Sequence, residues 1–131
     1  MVTITAFGDF LETALINETL RNINYVPAAT IYIGLHTTAT NDDNTGIEVT
    51  GGSYARTAIT FAAPSGGSTS NGALVTFPTA TASWGVVTHF GLYDAASGPN
   101  LLYWGALTVT KTVDNGDIFT VPMGNLTVTL Q

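Results

Sequence analysis

The chain has 131 residues and a mass of 13.6 kDa, with 45% apolar and only 9% charged residues and a formal net charge of −6. That length fits one domain, 1–131, because soluble cores mature at roughly 100 to 150 residues. Three cations cannot neutralise the phosphates that nucleic-acid binding requires. The absence of cysteine excludes disulfides, thiolate metal sites and a cysteine nucleophile.

The first ten residues lack the basic start and continuous apolar stretch of a secretory signal, and no apolar run approaches the ~20 residues of a membrane span. Synthesis in the cytoplasm and no membrane partner are therefore expected. Asp9 followed by Glu12 resembles a capping box and predicts a helix over about 9–22, closed by Asn22 or Asn24. At 100° per residue Phe10, Leu11, Ala14 and Leu15 share one face, while Ile16 and Leu20 lie opposite. A helix apolar on two sides wants two neighbours, the chain's own sheet and a partner subunit.

From Thr30 the period changes to two. Ile31, Ile33 and Leu35 alternate with Tyr32, Gly34 and His36, which predicts the first strand. A long polar loop follows over 37–53, with an extended patch at 47–49, and its length marks it as a contact region. There Ile47 and Val49, flanked by Asp42, Asp43 and Glu48, are the expected anchors for a partner. Further strands are predicted over 54–61, 74–77, 84–93, 101–109, 117–121 and 126–130, with a flexible turn at 64–72. Asn115-Gly116 and Gly124-Asn125 supply hairpin turns. The pattern predicts an all-β sandwich, jelly-roll or Greek-key-like, over about 30–131, with one N-terminal α-helix. Ile31, Ile33, Leu35, Ile59, Phe61, Phe90, Leu92, Leu126, Val128 and Leu130 are its expected core. There is no internal repeat or heptad run that would build a shaft.

Residues able to carry chemistry are few and scattered. His36, His89 and Asp94 have no nucleophile elbow near them, so no catalytic residues are assigned. Two histidines fall short of a closed zinc site. The run Asn41-Asp-Asp-Asn-Thr-Gly46 with Glu48 offers oxygen ligands for calcium, but it departs from the helix-loop-helix pattern and reads first as a solvated acidic loop. No metal or cofactor is expected. Gly51-Gly52 and Gly66-Gly67 lack the Lys-Ser/Thr pair of a phosphate loop. Tyr32, Tyr54, Trp84, Tyr93, Tyr103 and Trp104 could stack on sugar rings, or simply fill a core that has few charges around it. Arg56 must meet a carboxylate or carbonyls if buried, and Glu48 and Asp94 are its candidate partners in a structural pair.

Three strings in order carry a resemblance: Gly46-Ile-Glu-Val-Thr-Gly-Gly-Ser-Tyr-Ala-Arg56, Trp84-Gly-Val-Val-Thr-His-Phe-Gly-Leu-Tyr-Asp94 and Asn100-Leu-Leu-Tyr-Trp-Gly-Ala-Leu107. Together with the leading helix and the closing Leu126-Thr-Val-Thr-Leu strand, the chain resembles small virion structural proteins of tailed bacteriophages, of the tail-fibre-labelled and capsid cement or decoration kind. The resemblance implies a non-enzymatic building block located in the virion and made in the host cytoplasm. Its implied partners are the major capsid protein or tail proteins, and homo-oligomers are expected. A compact module without a shaft fits a cement protein that braces the shell against internal pressure. The alternative is a tail fibre or tail-tip module that binds host glycans through exposed aromatics.

Overall fold

The computed structural model describes residues 2–4 and 6–130, the first three by their backbone. In chain order the elements are β1 (Val2–Ile4), β2 (Ala6–Phe7), α1 (Asp9–Arg21), β3 (Ile31–His36), β4 (Thr57–Ile59) and β5 (Ser68–Ser70). They continue with β6 (Val75–Thr76), β7 (Gly85–Tyr93), β8 (Leu101–Val113), β9 (Thr120–Val121) and β10 (Leu126–Thr129). Five strands in the order β2-β8-β7-β3-β4 form one antiparallel sheet, β1-β10-β5 form a second, and β6 pairs with β9. The protein is thus a β-sandwich with one leading helix, as the alternation predicts. The pairing of β1 with β10 is parallel, and a run of simple hairpins would not produce it.

Two corners join the sheets. The N-terminal segment pairs with β10 through β1 and then with β8 through β2. On the far side the chain leaves β4 and turns to β5, where the Gly72 amide donates to the Thr60 carbonyl and the Ala62 amide to the Ser70 carbonyl. Strands that change sheets leave little open edge to recruit another chain. Asn71 locks the second corner. Its Nδ2 donates to the Ala73 and Pro122 carbonyls at 2.9 Å each, and its Oδ1 accepts the Leu126 amide at 2.9 Å.

The core lies between the sheets. Ile33, Leu35, Phe90 and Leu92 of the larger sheet meet Leu126 and Val128 of the smaller, with Val75, Phe77 and Phe119 closing one end. At that end the Phe77 ring packs edge-on against Phe119 and Trp84 and stacks on Tyr54. Ile31 and Phe61 are half-buried at its margin. Leu130, expected inside, is 45% exposed because β10 ends at Thr129 and the chain runs past the sheet. The expected sandwich limit at Gln131 lies outside the described residues.

The helix begins differently from the capping-box expectation. Gly8 is the N-cap and no side chain caps it. A Cβ at Gly8 would lie 2.3 Å from the Leu101 carbonyl oxygen, so the backbone passes too close to β8 for Ser or Asp there. The Asp42 carbonyl instead accepts the Asp9 amide, tying the long loop to the helix start. Asn22, in the left-handed conformation at φ 55, ends the helix as its sequence position predicts. Leu11 is its buried residue, while Ile16 and Leu20 are exposed at 55% and 79%.

The segment 64–72, expected to be a flexible turn, contains β5. Ser68 to Ser70 carry no apolar signal, yet they pair antiparallel with β10, and the Ser68 and Thr129 hydroxyls bond at 3.0 Å. The expected strands over 54–61 and 117–121 shorten to β4 and β9. Strand β8 is longer than expected and irregular: Val87 faces Lys111 while His89 faces Ala106, so two steps along β7 span five along β8. The three extra residues form an excursion on which Val109 is 71% exposed.

Candidate functional site

The long loop is fastened to β3 by a polar latch. β3 presents one edge to two partners in turn, β4 along Ile31 to Ile33 and Glu48 opposite His36. The Thr37 amide donates to the Ile47 carbonyl and the Val49 amide to the Leu35 carbonyl. Between these partners the Leu35 amide would point at nothing, and the Tyr54 hydroxyl accepts it at 2.9 Å. Tyr54 donates in turn to Glu48 Oε1 at 2.8 Å. Arg56 completes the latch with a bidentate pair, Nε to Oε1 and Nη2 to Oε2 of Glu48, both at 2.8 Å, and its Nη1 donates to the Ala95 carbonyl. The two side chains are 8% and 23% exposed, a geometry in which an ion pair counts for more than at the surface.

Beneath the guanidinium lies the Tyr93 ring, with the Arg56 Cζ 3.5 Å from its centroid. The ring occupies space that two glycines leave free. Gly34 and Gly91 are register partners in β3 and β7, and a Cβ on either would come within 3.1 Å of Tyr93 ring carbons. The Tyr93 hydroxyl donates to Asn44 Oδ1 at 2.8 Å and lies 2.9 Å from His36 Nε2. With that proton given to Asn44, His36 Nε2 must be the donor, which fixes the histidine tautomer. Asn44 Nδ2 reaches across to the Pro99 carbonyl, so one buried tyrosine joins the acidic loop, β3 and the turn before β8.

The electrostatics follow from this packing. Burial pushes the Glu48 carboxyl up, but hydrogen bonds from Arg56 and Tyr54 and the Arg56 charge outweigh it and hold the group below the ordinary range. Burial also works against the Arg56 charge, and Glu48 more than offsets it. His36 is lowered to about 4, chiefly by burial, with Glu48 opposing and Arg56 and His89 assisting. Its Nδ1 is buried and finds no partner among the described residues, so the imidazole is held neutral. Tyr54 and Tyr93 are raised, burial first and the Glu48 charge second.

The residues singled out from sequence are dispersed. Arg56 and Glu48 meet, whereas Asp94 accepts from Asn100 Nδ2 at 3.0 Å and takes no part in the pair. Val49 is corrected: at 4% exposure it belongs to the sandwich core and cannot anchor a partner. Ile47, two residues earlier, is 62% exposed because it lies opposite Thr37, past the end of β3. In the acidic run, Asp42 Oδ1 accepts the Trp104 indole N–H, Asp43 Oδ1 accepts the Thr45 hydroxyl and Asn44 turns to Tyr93. Those oxygens diverge. Among the described residues no three His, Asp or Glu side chains are gathered for a metal ion. The aromatics do not share one platform either: Trp84 and Tyr54 pack with Phe77, and Tyr93 lies under Arg56.

Exposed apolar side chains cluster at α1 and the segment after it. Beside Ile16 and Leu20 stand Ile23 and Val26, 46% and 76% exposed. A groove runs between helix and segment, lined by Phe10, Thr13, Ala14, Asn17, Ile23 and Tyr25, with Asp9 at its rim. Sequence reasoning passed over Ile23, Val26 and Val109 because each lies outside a periodic segment or within a strand that reads as regular.

The polar side chains of the latch are thus taken up in fastening the loop to the sandwich, and exposed apolar side chains stand at α1 and on the β8 excursion. The chain belongs to the family described as podophage GP4 fiber I protein gp80, whose model matches residues 6–129. That family is one of phage structural proteins, and the match runs from β2 to the end of β10. None of the curated proteins compared with the chain matches it.

Proposed function

We propose that the protein is a non-enzymatic structural subunit of the virion's fibre apparatus, which works by burying surface against neighbouring virion proteins. The family match over 6–129 is the observation that carries this reading, since it ties the compact sandwich as a whole to a fibre protein. The dispersal of His36, His89 and the carboxylates supports a role without chemistry. A cement role on the capsid was the expectation drawn from the compact, shaftless shape; the family description favours the fibre. The test is to produce particles lacking this chain. The fibre reading expects intact, DNA-filled heads with impaired attachment to cells, whereas heads that release DNA on osmotic shock with attachment unchanged would establish the cement role instead.

A further inference from the structure

We propose that the loop of residues 38–46 is a strap released by acid: protonation of His36 lifts it from the outer face of the larger sheet while the sandwich stays folded. The inference stands apart from the place of the subunit in the particle. Alternation fixes which face the strap covers. Leu35, Phe90 and Leu92 face the core, so their neighbours His36, His89, Gly91 and Tyr93 face outward. Trp104, the register partner of Gly91, shares that face. The loop leaves β3 at His36 and crosses the next two strands, where Asn44 meets Tyr93 on β7 and Asp42 meets the Trp104 indole on β8. On the far side the Asp42 carbonyl accepts the Asp9 amide of α1. The two ends of the loop close on each other, Thr37 amide to Ile47 carbonyl, and Val49 just beyond is held in the core. The strap can therefore lift about its base without drawing on the sandwich.

The surroundings of the His36 ring set the direction. Its Nε2 donates to Tyr93, and its Nδ1 is buried with no partner among the described residues. A proton added at Nδ1 makes a cation whose new N–H finds no acceptor while the strap is down. The titratable groups facing it are His89 and Tyr93 from β7, Tyr54 and Arg56 from the segment before β4, and Glu48, opposite His36 in register, from the loop. Arg56 and His89 repel the cation. Glu48 attracts it, but both carboxylate oxygens already accept from Arg56 and Tyr54. Asp42 and Asp43 are engaged with Trp104 and the Thr45 hydroxyl. Lifting the strap gives the imidazolium to water. It does the same for the Thr40 hydroxyl, a strap group that is also buried without a partner among the described residues. The lifted form therefore binds the proton better. His36 is held at about 4 with the strap down and returns towards its ordinary value near 6.5 in water. Opening is thus favoured as pH falls through that range, by roughly twentyfold from pH 7 to pH 5.

The test is hydrogen exchange on the whole chain, followed by NMR and referred at each pH to the rates of unstructured peptides. The Trp104 indole and the Asp9 amide both donate to Asp42 and report the strap, whereas the Trp84 indole donates to the Gly52 carbonyl and reports the sandwich. Protection of the two strap protons should fall about twentyfold between pH 7 and pH 5, with Trp84 the better protected throughout. In His36→Gln that change should vanish. In His89→Gln it should persist, because the His89 ring bonds to Thr88 and not to the strap. Thr40→Val tests the strap without touching either histidine: losing the stranded hydroxyl should raise protection at both pH values and leave their ratio unchanged. Strap protection that is independent of pH, a response that survives His36→Gln, or equal protection of Trp84 and Trp104 overturns the proposal.

Discussion

Arg56 shows how one side chain can hold a loop by geometry that its charge alone would not supply. Lysine would keep the charge but lose the fork on Glu48, the bond to the Ala95 carbonyl and the flat face over Tyr93. Arg56→Lys should therefore cost about 1 to 3 kcal/mol, read as a lower midpoint in urea. A midpoint equal to wild type would show the latch to be ornamental. The Arg56 and Glu48 pairing was within reach of the sequence, because a lone cation in an apolar stretch needs an acid nearby. The role of Tyr93 was not. It depends on Gly34 and Gly91 being register partners, and register is a property of the folded sheet.

Acid should loosen the same residues in two stages. His36 titrates at about 4 in the fold and near 6.5 in the unfolded chain, so between those values the unfolded chain binds the extra proton. Stability from this group is complete above about pH 6.5 and is lost as pH falls towards 4, about 3 kcal/mol in all. Glu48, held below its ordinary range, contributes above its unfolded pKa and loses that contribution as pH falls further, through its folded value. Unfolding midpoints of wild type and His36→Gln measured between pH 7 and 5, above the range in which Glu48 takes part, check the first stage: the wild-type slope should be steep and that of the variant nearly flat. Parallel slopes would mean that His36 is not held neutral.

Among the elements, β3, β7 and β10 were legible because alternation places Ile33, Leu35, Phe90, Leu92, Leu126 and Val128 on faces that do become the core. β5 was invisible. Its Ser-Thr-Ser sequence has no apolar face, and it is a strand because β10 offers it a ladder and Asn71 fixes the corner beside it. Val49 was misplaced for a related reason: alternation alone cannot reveal that an unpaired loop will borrow the free edge of β3. Asn71→Ala should cost about 3 kcal/mol or more, since it strands the Leu126 amide and two carbonyls in a closed site. Phe90→Ala, which leaves a core cavity, should cost about 3 to 5 kcal/mol. Thermal unfolding of both variants checks these values, and a loss under 1 kcal/mol at Asn71 would contradict its part in the corner.

For the molecule as a whole, the sequence carried the class of protein further than its place in the particle. Resemblance pointed to the virion, and the family match specifies a fibre description. The compact shape had argued for cement because the sequence contains no shaft. The groove beside α1 could not be read from helical periodicity, because one of its walls is Ile23 to Tyr25, after the helix has ended.

The most direct measurement is gold labelling of this protein on intact particles, viewed by electron microscopy. A structural subunit of the fibre apparatus predicts label confined to the tail region, in few positions per particle. Label spread evenly over the head would contradict that account.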